Sequence, residues 1–335
     1  MRNNVIAIDM GSVNTNIYKL GEGIVLMEPS VVARSTSPKG KVKAVGTEAK
    51  KLIGKTASSS AVVFPIVEGQ VDDDKFATEM IETFLNKITL SRLGFRPQVV
   101  LSVPCGIEAD EIRRFEKVLN GAGVYNISYV ESPILTALGL QLPISESTPF
   151  FIIDVGGGTT NIAAVSLDGV IAGASVNMGG KNIDATIIKH LEDYFDLKIG
   201  ILTAECIKME IGSLLENDSM RMEVNGRDTY TGKPRSVSIG TEDIIIPIRA
   251  FFDKIFEITE MIMAKLPAEV SAEIRRSGIY FAGGTSKIPG LEYYSNEKLA
   301  IRATCFENPE NATVVGGGIV AGDKDLLKKL RLNRK

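Results

Sequence analysis

Residues 151–165 read FIIDVGGGTTNIAAV. Three apolar residues lead to Asp154. Val155, the glycines Gly156, Gly157 and Gly158, then Thr159, Thr160 and Asn161 follow, before a second apolar run. Glycine punctuation between two apolar runs marks two strands joined by a tight bend. The N-terminus repeats the pattern in VIAIDMGSVNTNIYKL, residues 5–20. Asp9-x-Gly11-Ser12-x-x-Thr15 and Asp154-x-Gly156-Gly157-x-x-Thr160 lie 145 residues apart (154 − 9). The repeat predicts two related α/β domains, each offering one glycine hairpin to a shared cleft.

Bends without Cβ atoms let backbone N–H groups come close to a phosphate. Gly11, Ser12, Val13, Asn14 and Thr15 form one candidate clamp, and Gly156, Gly157, Gly158, Thr159 and Thr160 the other. Two clamps on one polyphosphate point to a nucleoside triphosphate. Asp9 and Asp154 repel a bare phosphate, but they suit a hydrated Mg²⁺ lying between carboxylate and phosphate. The competing reading is a pair of ordinary hairpins with Asp-Gly turns. A third bend, FAGGTSKIPG at 281–290, carries Gly283, Gly284 and Thr285. It either passes beneath a ribose and α-phosphate or simply joins a strand to a helix beginning at Pro289. In TAECIKMEIGSL, 203–214, Ile207, Ile211 and Leu214 share one helix face, and Glu205, Lys208, Met209 and Gly212 the opposite one. That second face holds either ribose hydroxyls and a base edge or an exposed i,i+3 Glu/Lys pair.

The rest of the chain sets limits. Its 335 residues suffice for two domains and a large core. A net charge of −3 offers no global field for nucleic acid. No apolar run reaches the ~20 residues of a membrane-spanning helix, and the start passes straight into a strand, without a secretory leader. Cys105, Cys206 and Cys305 are spaced like reduced core thiols of a cytosolic protein, not like a disulfide frame or metal site. The lone histidine, His190, lies in the helical pattern IDATIIKHLEDYF with no nucleophile elbow near it. There is no strand-G-x-G-x-x-G-helix fingerprint. AKKLIGKT at 49–56 lacks the first glycine of a P-loop, so Lys55 reads as a solvated loop residue. Strand-like and helix-like segments alternate throughout. DDDKFATEMIETFLNKI is a helix with its apolar residues on one face. RMEVNGRDTYTGKPRSVSI reads as a small β excursion with turns at Asn225-Gly226 and Thr231-Gly232. The later helical region breaks at Pro247, and Ser132 before Pro133 reads as an N-cap.

The two hairpins, VESPILTALGL at 130–140 and FAGGTSKIPGL at 281–291 together resemble the five-part nucleotide site of the actin/sugar-kinase/Hsp70 superfamily. GEGIVLMEPSVVA, AVGTEAKKLIGKT, FPIVEGQVDDDKFATEMIETFL, TAECIKMEIGS and EVNGRDTYTGKP are similar to the MreB/Mbl family of bacterial actins. The resemblance implies an α/β, actin-like (ribonuclease H-like, duplicated) ATPase fold, with two lobes and four subdomains around a nucleotide cleft. Subdomain IA would be 1–32, 66–145 and 315–335, IB 33–65, IIA 146–180 and 243–314, and IIB 181–242. It further implies ATP and Mg²⁺ in the cleft and self-assembly into filaments of paired protofilaments. These would lie on the cytoplasmic, inner face of the cell membrane and guide cell-wall synthesis and cell shape, with a paralogous actin and cell-wall synthesis membrane proteins as partners. Family members place a glutamate immediately before the proline of VESP, where it orients the attacking water. Here that position is Ser132, with Glu131 one residue earlier, and the family's GGGTTE ends in Asn161. Glu131, Ser132, Thr159 and Asp154 are the catalytic candidates. Hydrolysis is expected to be slow, because a missing water-orienting group costs about 10²–10⁴ in rate.

The family's membrane-binding loop corresponds to KITLSRLGFRP, where Leu90, Leu93 and Phe95 stand among Lys87, Arg92 and Arg96. Apolar residues among cations suit an anionic membrane; alternatively Leu93 and Phe95 tuck into the core. The basic stretch KDLLKKLRLNRK either adds to membrane contact or is a solvated helix end. Three functions therefore compete: a filament-forming ATPase, an ATP-binding scaffold or copolymer partner that does not hydrolyse, and a small-molecule kinase of the same fold. No segment matches a sugar pocket.

Overall fold

The computed structural model describes residues 5–37, 40–56, 58–88 and 97–332. Strands Val5–Met10 (β1), Asn14–Lys19 (β2) and Gly23–Pro29 (β3) form an antiparallel meander. Beside β1, in parallel, runs Gln98–Val103 (β4), and then Asn126–Glu131 (β5). Phe150–Val155 (β6), Thr160–Ser166 (β7) and Gly169–Val176 (β8) make a second meander, continued in parallel by Ile279–Ala282 (β9) and Ala303–Cys305 (β10). Numbered within its own sheet, each has the order 3-2-1-4-5. The registers agree too. Asp9 pairs with Asn16 as Asp154 pairs with Asn161, a displacement of 145 in both members (154 − 9, 161 − 16). The repeat in the sequence is thus a duplicated sheet.

Both sheets are covered on two faces, which is why β6 and β7 are buried at every position and read as nearly unbroken apolar runs. Helices Asp74–Ile88 (α1) and Ala109–Gly121 (α2) cover the first sheet with Met80, Ile81, Phe84, Phe115 and Val118. Gly180–Phe195 (α4), Ile201–Ile211 (α5) and Thr241–Met263 (α6) cover the second through Ile183, Ile187, Ile207, Ile248 and Phe252. Each such side chain contributes about 1.5–3 kcal/mol on burial. Between the sheets lie Ser132–Gly139 (α3) and Ala312–Gly322 (α7), sharing a core with Ala7, Val100, Ile152 and Ala163. A small sheet of Val32–Ser35, Val42–Val45 and Ser60–Val63 is inserted in the first half, and another of Leu197–Lys198, Arg221–Asp228 and Pro234–Gly240 in the second. Among the described residues no helix is long and apolar enough to cross a membrane.

Several local expectations change. α6 runs through Pro247 without a break, because Ile244, Ile248, Phe251 and Phe252 bury the same face on either side of it. Asn225-Gly226 is not a turn but the interior of Arg221–Asp228. Gly226 is needed there because a Cβ would lie 2.7 Å from the Lys198 carbonyl oxygen of the neighbouring strand. The other expected turn, at Thr231-Gly232, does form, with Asp228 Oδ1 accepting from Tyr230 N and Thr231 N. Ser132 does not cap α3; its hydroxyl is bonded elsewhere, as described below. The helix after the third glycine bend starts at Leu291, not Pro289. Of the three thiols, Cys206 is exposed, not in a core.

Candidate functional site

The two hairpins close identically. Gly11 N donates to Asn14 O at 3.0 Å, and Gly156 N donates to Thr159 O at 2.9 Å. Glycine is required here by space, not by φ. A Cβ on Gly157 would lie 2.1 Å from Val13 Cγ2, and one on Gly158 2.6 Å from Ser12 Oγ. The second bend is therefore bare at Gly157 and Gly158 because the first rests against it, while Gly11 is held by its own hairpin, where a Cβ would lie 2.7 Å from Asn14 O. Beneath them opens a cavity of about 580 Å³, lined by Asp9, Asp154, Ser132, Thr159, Glu205 and Gly284 among others.

Asp9 and Asp154 hold equivalent places, two residues before each bend. Thr136 Oγ1 from α3 and Thr313 Oγ1 from α7 both reach Asp154 Oδ2, at 3.0 and 3.1 Å, and lie 2.8 Å from each other. Burial raises the pKa of Asp154 above the ordinary carboxylate value. Burial, and then the charge of Asp154, push Asp9 up to about 7, against a hydrogen bond from Ser102 that lowers it. Ser102 Oγ is 2.7 Å from Ser132 Oγ, which donates to the Val103 carbonyl at 2.9 Å. Ser132 thus belongs to the hydroxyl network behind Asp9. Two enclosed carboxylates that repel each other favour a cation between them, and an all-oxygen donor set selects a hard one. No group of three or more His, Cys, Asp or Glu is assembled among the described residues, so such a cation would keep much of its water shell.

The other candidates divide into those that face the cavity and those that hold the frame. Val13, Asn14, Thr159, Gly283, Gly284 and Thr285 line it. Gly283 has φ +81°, and a Cβ there would lie 2.5 Å from Asp154 Oδ1. Thr285 Oγ1 ties the third bend to the second by donating to Gly156 O at 2.9 Å. Thr15 and Thr160 turn inward, to Ser30 Oγ at 2.9 Å and Met178 O at 2.8 Å. Ser12 Oγ accepts from Gly69 N. Glu205 and Lys208 line the cavity but pair elsewhere, Glu205 with Lys50 at 2.8 Å and Lys208 with Asp184 at 2.7 Å. Glu131 is not among the lining residues; its Oε1 accepts from Gly106 N at 2.8 Å. Asn161 Oδ1 accepts from Cys105 N at 3.1 Å. Leu90, Leu93 and Phe95 lie outside the described residues. Sequence reasoning missed Ser102, Thr136, Lys181, Asp184 and Thr313. Only Lys181 carries a visible signal, since Gly179-Gly180 precedes it at a helix start.

Duplicated lobes whose matched hairpins meet above paired carboxylates define the actin-like class. The profile of the MreB/Mbl protein family matches residues 3–329, and this chain belongs to that family. It is 35% identical over 324 residues to the cell shape-determining protein MreB of Escherichia coli (strain K12), covering 95% of this chain and 93% of the relative. It is 30% identical over 330 residues to the cell shape-determining protein Mbl of Bacillus subtilis (strain 168), covering 98% of each. Its fold is similar to that of MreB5 of Spiroplasma citri bound to AMPPNP, with a TM-score of 0.91, 27% identity and 97% of each chain covered.

Proposed function

We propose that this chain binds ATP with Mg²⁺ in the cleft and polymerises with itself into cytoskeletal filaments. These would lie at the cytoplasmic face of the membrane, guiding cell-wall synthesis and cell shape. The observation that carries the reading is the pair of matched glycine hairpins meeting over Asp9 and Asp154. The residues present fit the ligand: the cavity is of ligand-binding size, the bends offer bare main chain, and the carboxylates call for a cation. Asp9 and Asp154 would hold Mg²⁺ through water, and the ion would neutralise phosphate charge. Thr285 and the Glu205–Lys208 wall would meet the ribose and base. The family's relatives are cell shape-determining proteins, which supports a cytoskeletal role over a kinase.

Hydrolysis in this reading is slow. Ser132 has one proton to give, and it goes to the Val103 carbonyl, so it offers no base to an attacking water. That favours, as a second reading, a scaffold or copolymer partner that binds ATP without turning it over. Ser132→Glu is expected to raise phosphate release by about 10²–10⁴-fold, the effect of a restored general base. A phosphate-release assay giving equal rates for both proteins would place the slow step elsewhere. Electron microscopy and sedimentation with Mg-ATP, with and without anionic liposomes, test the function as a whole. Filaments on the liposomes are expected; protein that stays unassembled in every condition would defeat the proposal.

A further inference from the structure

Four lysines line the cleft: Lys50, Lys181, Lys208 and Lys287. Three have a carboxylate partner: Lys50 with Glu205 at 2.8 Å, Lys208 with Asp184 at 2.7 Å and Lys287 with Glu310 at 2.5 Å. Among the described residues Lys181 makes no ion pair. Its backbone N donates to Gly157 O at 2.8 Å, so the first turn of α4 is stitched to the second hairpin, next to Gly180 N on Gly156 O. Its side chain leaves that hairpin and crosses to the first, where Nζ donates to Ser12 O at 2.7 Å. On the way it passes over the ring of Phe64, 4.8 Å from the centroid. A half-buried ammonium is thus held by a neutral carbonyl and an aromatic face, at the place where both hairpins touch. Burial lowers its pKa, and the charges of Glu205 and Asp184, which raise it without an ion pair, offset that only in part. Charges in such surroundings are normally paired or functional.

We propose that Lys181 is the cationic contact for the terminal phosphate of a bound nucleoside triphosphate, giving the cleft its preference for triphosphate over diphosphate. The inference rests on the nucleotide reading above and adds the residue that measures the length of the phosphate chain. Ser12 and Gly157 belong to opposite hairpins, and Lys181 spans them through its own backbone and side chain. A phosphate reached by both hairpins therefore lies within reach of the ammonium. The wall given to base and ribose, at Glu205, Met209 and Gly212, is carried by α5 and its C-cap, and Lys208 Nζ joins it to the start of α4 by donating to Gly180 O at 3.1 Å. An ammonium on phosphate forms charge-assisted hydrogen bonds stronger than the carbonyl contact they replace.

Isothermal titration calorimetry of the full chain with Mg-ATP and with Mg-ADP tests this. Lys181→Met keeps the apolar stem over Phe64 and removes the charge. It should weaken ATP about tenfold and ADP by less than about threefold. Lys181→Arg should recover most of the ATP loss. Lys181→Gln keeps a donor for Ser12 O without the charge and should behave like Lys181→Met, which separates phosphate recognition from simple clasping of the hairpins. Equal loss for both nucleotides, or ATP affinity unchanged in Lys181→Gln, overturns the proposal while leaving the nucleotide site standing. Wild-type protein that binds neither nucleotide would instead remove the nucleotide reading itself.

Discussion

Gly316→Ala is expected to leave little or no folded protein. A Cβ at Gly316 would lie 1.8 Å from the Leu135 carbonyl oxygen, 2.6 Å from its carbon and 3.0 Å from Gly139 N. The contact is reciprocal, since a Cβ on Gly139 would lie 1.8 Å from Ala312 O. Helices α3 and α7 therefore cross backbone to backbone, and no flexible side chain can move aside to make room. The methyl must drive apart two helices buried between both sheets. Overpacking in a core costs about 1–3 kcal/mol where side chains can shift, and a backbone clash at this distance belongs in the range above about 4 kcal/mol. A marginally stable chain does not survive that. The damage would reach the cleft, because the same two helices carry Thr136 and Thr313 to Asp154. Gly169→Ala is the control: its Cβ would meet only Ser166 O, at 3.9 Å. Soluble yield and melting by circular dichroism decide the matter. A Gly316→Ala protein that melts close to the parent would show that the crossing is looser than this geometry.

The parts of this fold that sequence revealed are those whose cause is local. A glycine bend between two apolar runs, with a carboxylate two residues earlier, is specified within about fifteen residues, and doing it twice exposed the duplication. What stayed hidden depends on partners far along the chain. The Thr136–Thr313 contact joins residues 177 apart, and Lys181 meets a carbonyl 169 residues away. Spacing alone leaves Glu205 and Lys208 free to pair with each other, but Lys50, 155 residues distant, takes the carboxylate. Gly226 misled because glycine serves close approach as well as turns. Pro247 misled because burial of the surrounding apolar face outweighs the roughly 3 kcal/mol cost of an interior proline. Ser132 had the right chemistry for a cap, yet the helix begins one residue early, so that Glu131 takes the N-cap place and Ser132 the first helical one.

Asp154→Asn should move stability and ligand binding in opposite directions. Without a cation, Asp9 holds its proton up to about pH 7 in the folded chain, while the unfolded chain loses it near the ordinary value of 3.8. The folded state thus binds more protons between those two values. This contribution is fully present below the lower value and is lost as pH rises through the upper one. As pH rises past 7, Asp9 in the ligand-free cleft is driven to ionise against burial and against the charge of Asp154. Asn at 154 removes one charge and leaves Oδ1 to accept from Thr136 and Thr313. The ligand-free variant should melt higher than the parent above pH 7, and its pH-dependent fall should shift to lower pH. Binding responds in the other sense, because a divalent cation needs the ionised carboxylates, so Mg-ATP affinity climbs with pH towards 7 in the parent. Losing an outer partner of the ion weakens affinity about 10–100-fold. That removes about 1.4–2.7 kcal/mol of the stabilisation saturating Mg-ATP provides, and with it nucleotide-dependent light scattering. Thermal shift with and without Mg-ATP, across about pH 5.5 to 8.5, reads both signs. A variant that melts lower when ligand-free, yet keeps the full Mg-ATP shift, would make Asp154 a structural acceptor for two threonines and nothing more. The expected crossing, a calmer empty cleft that no longer grips its ligand, is what a site built to be completed by a cation requires.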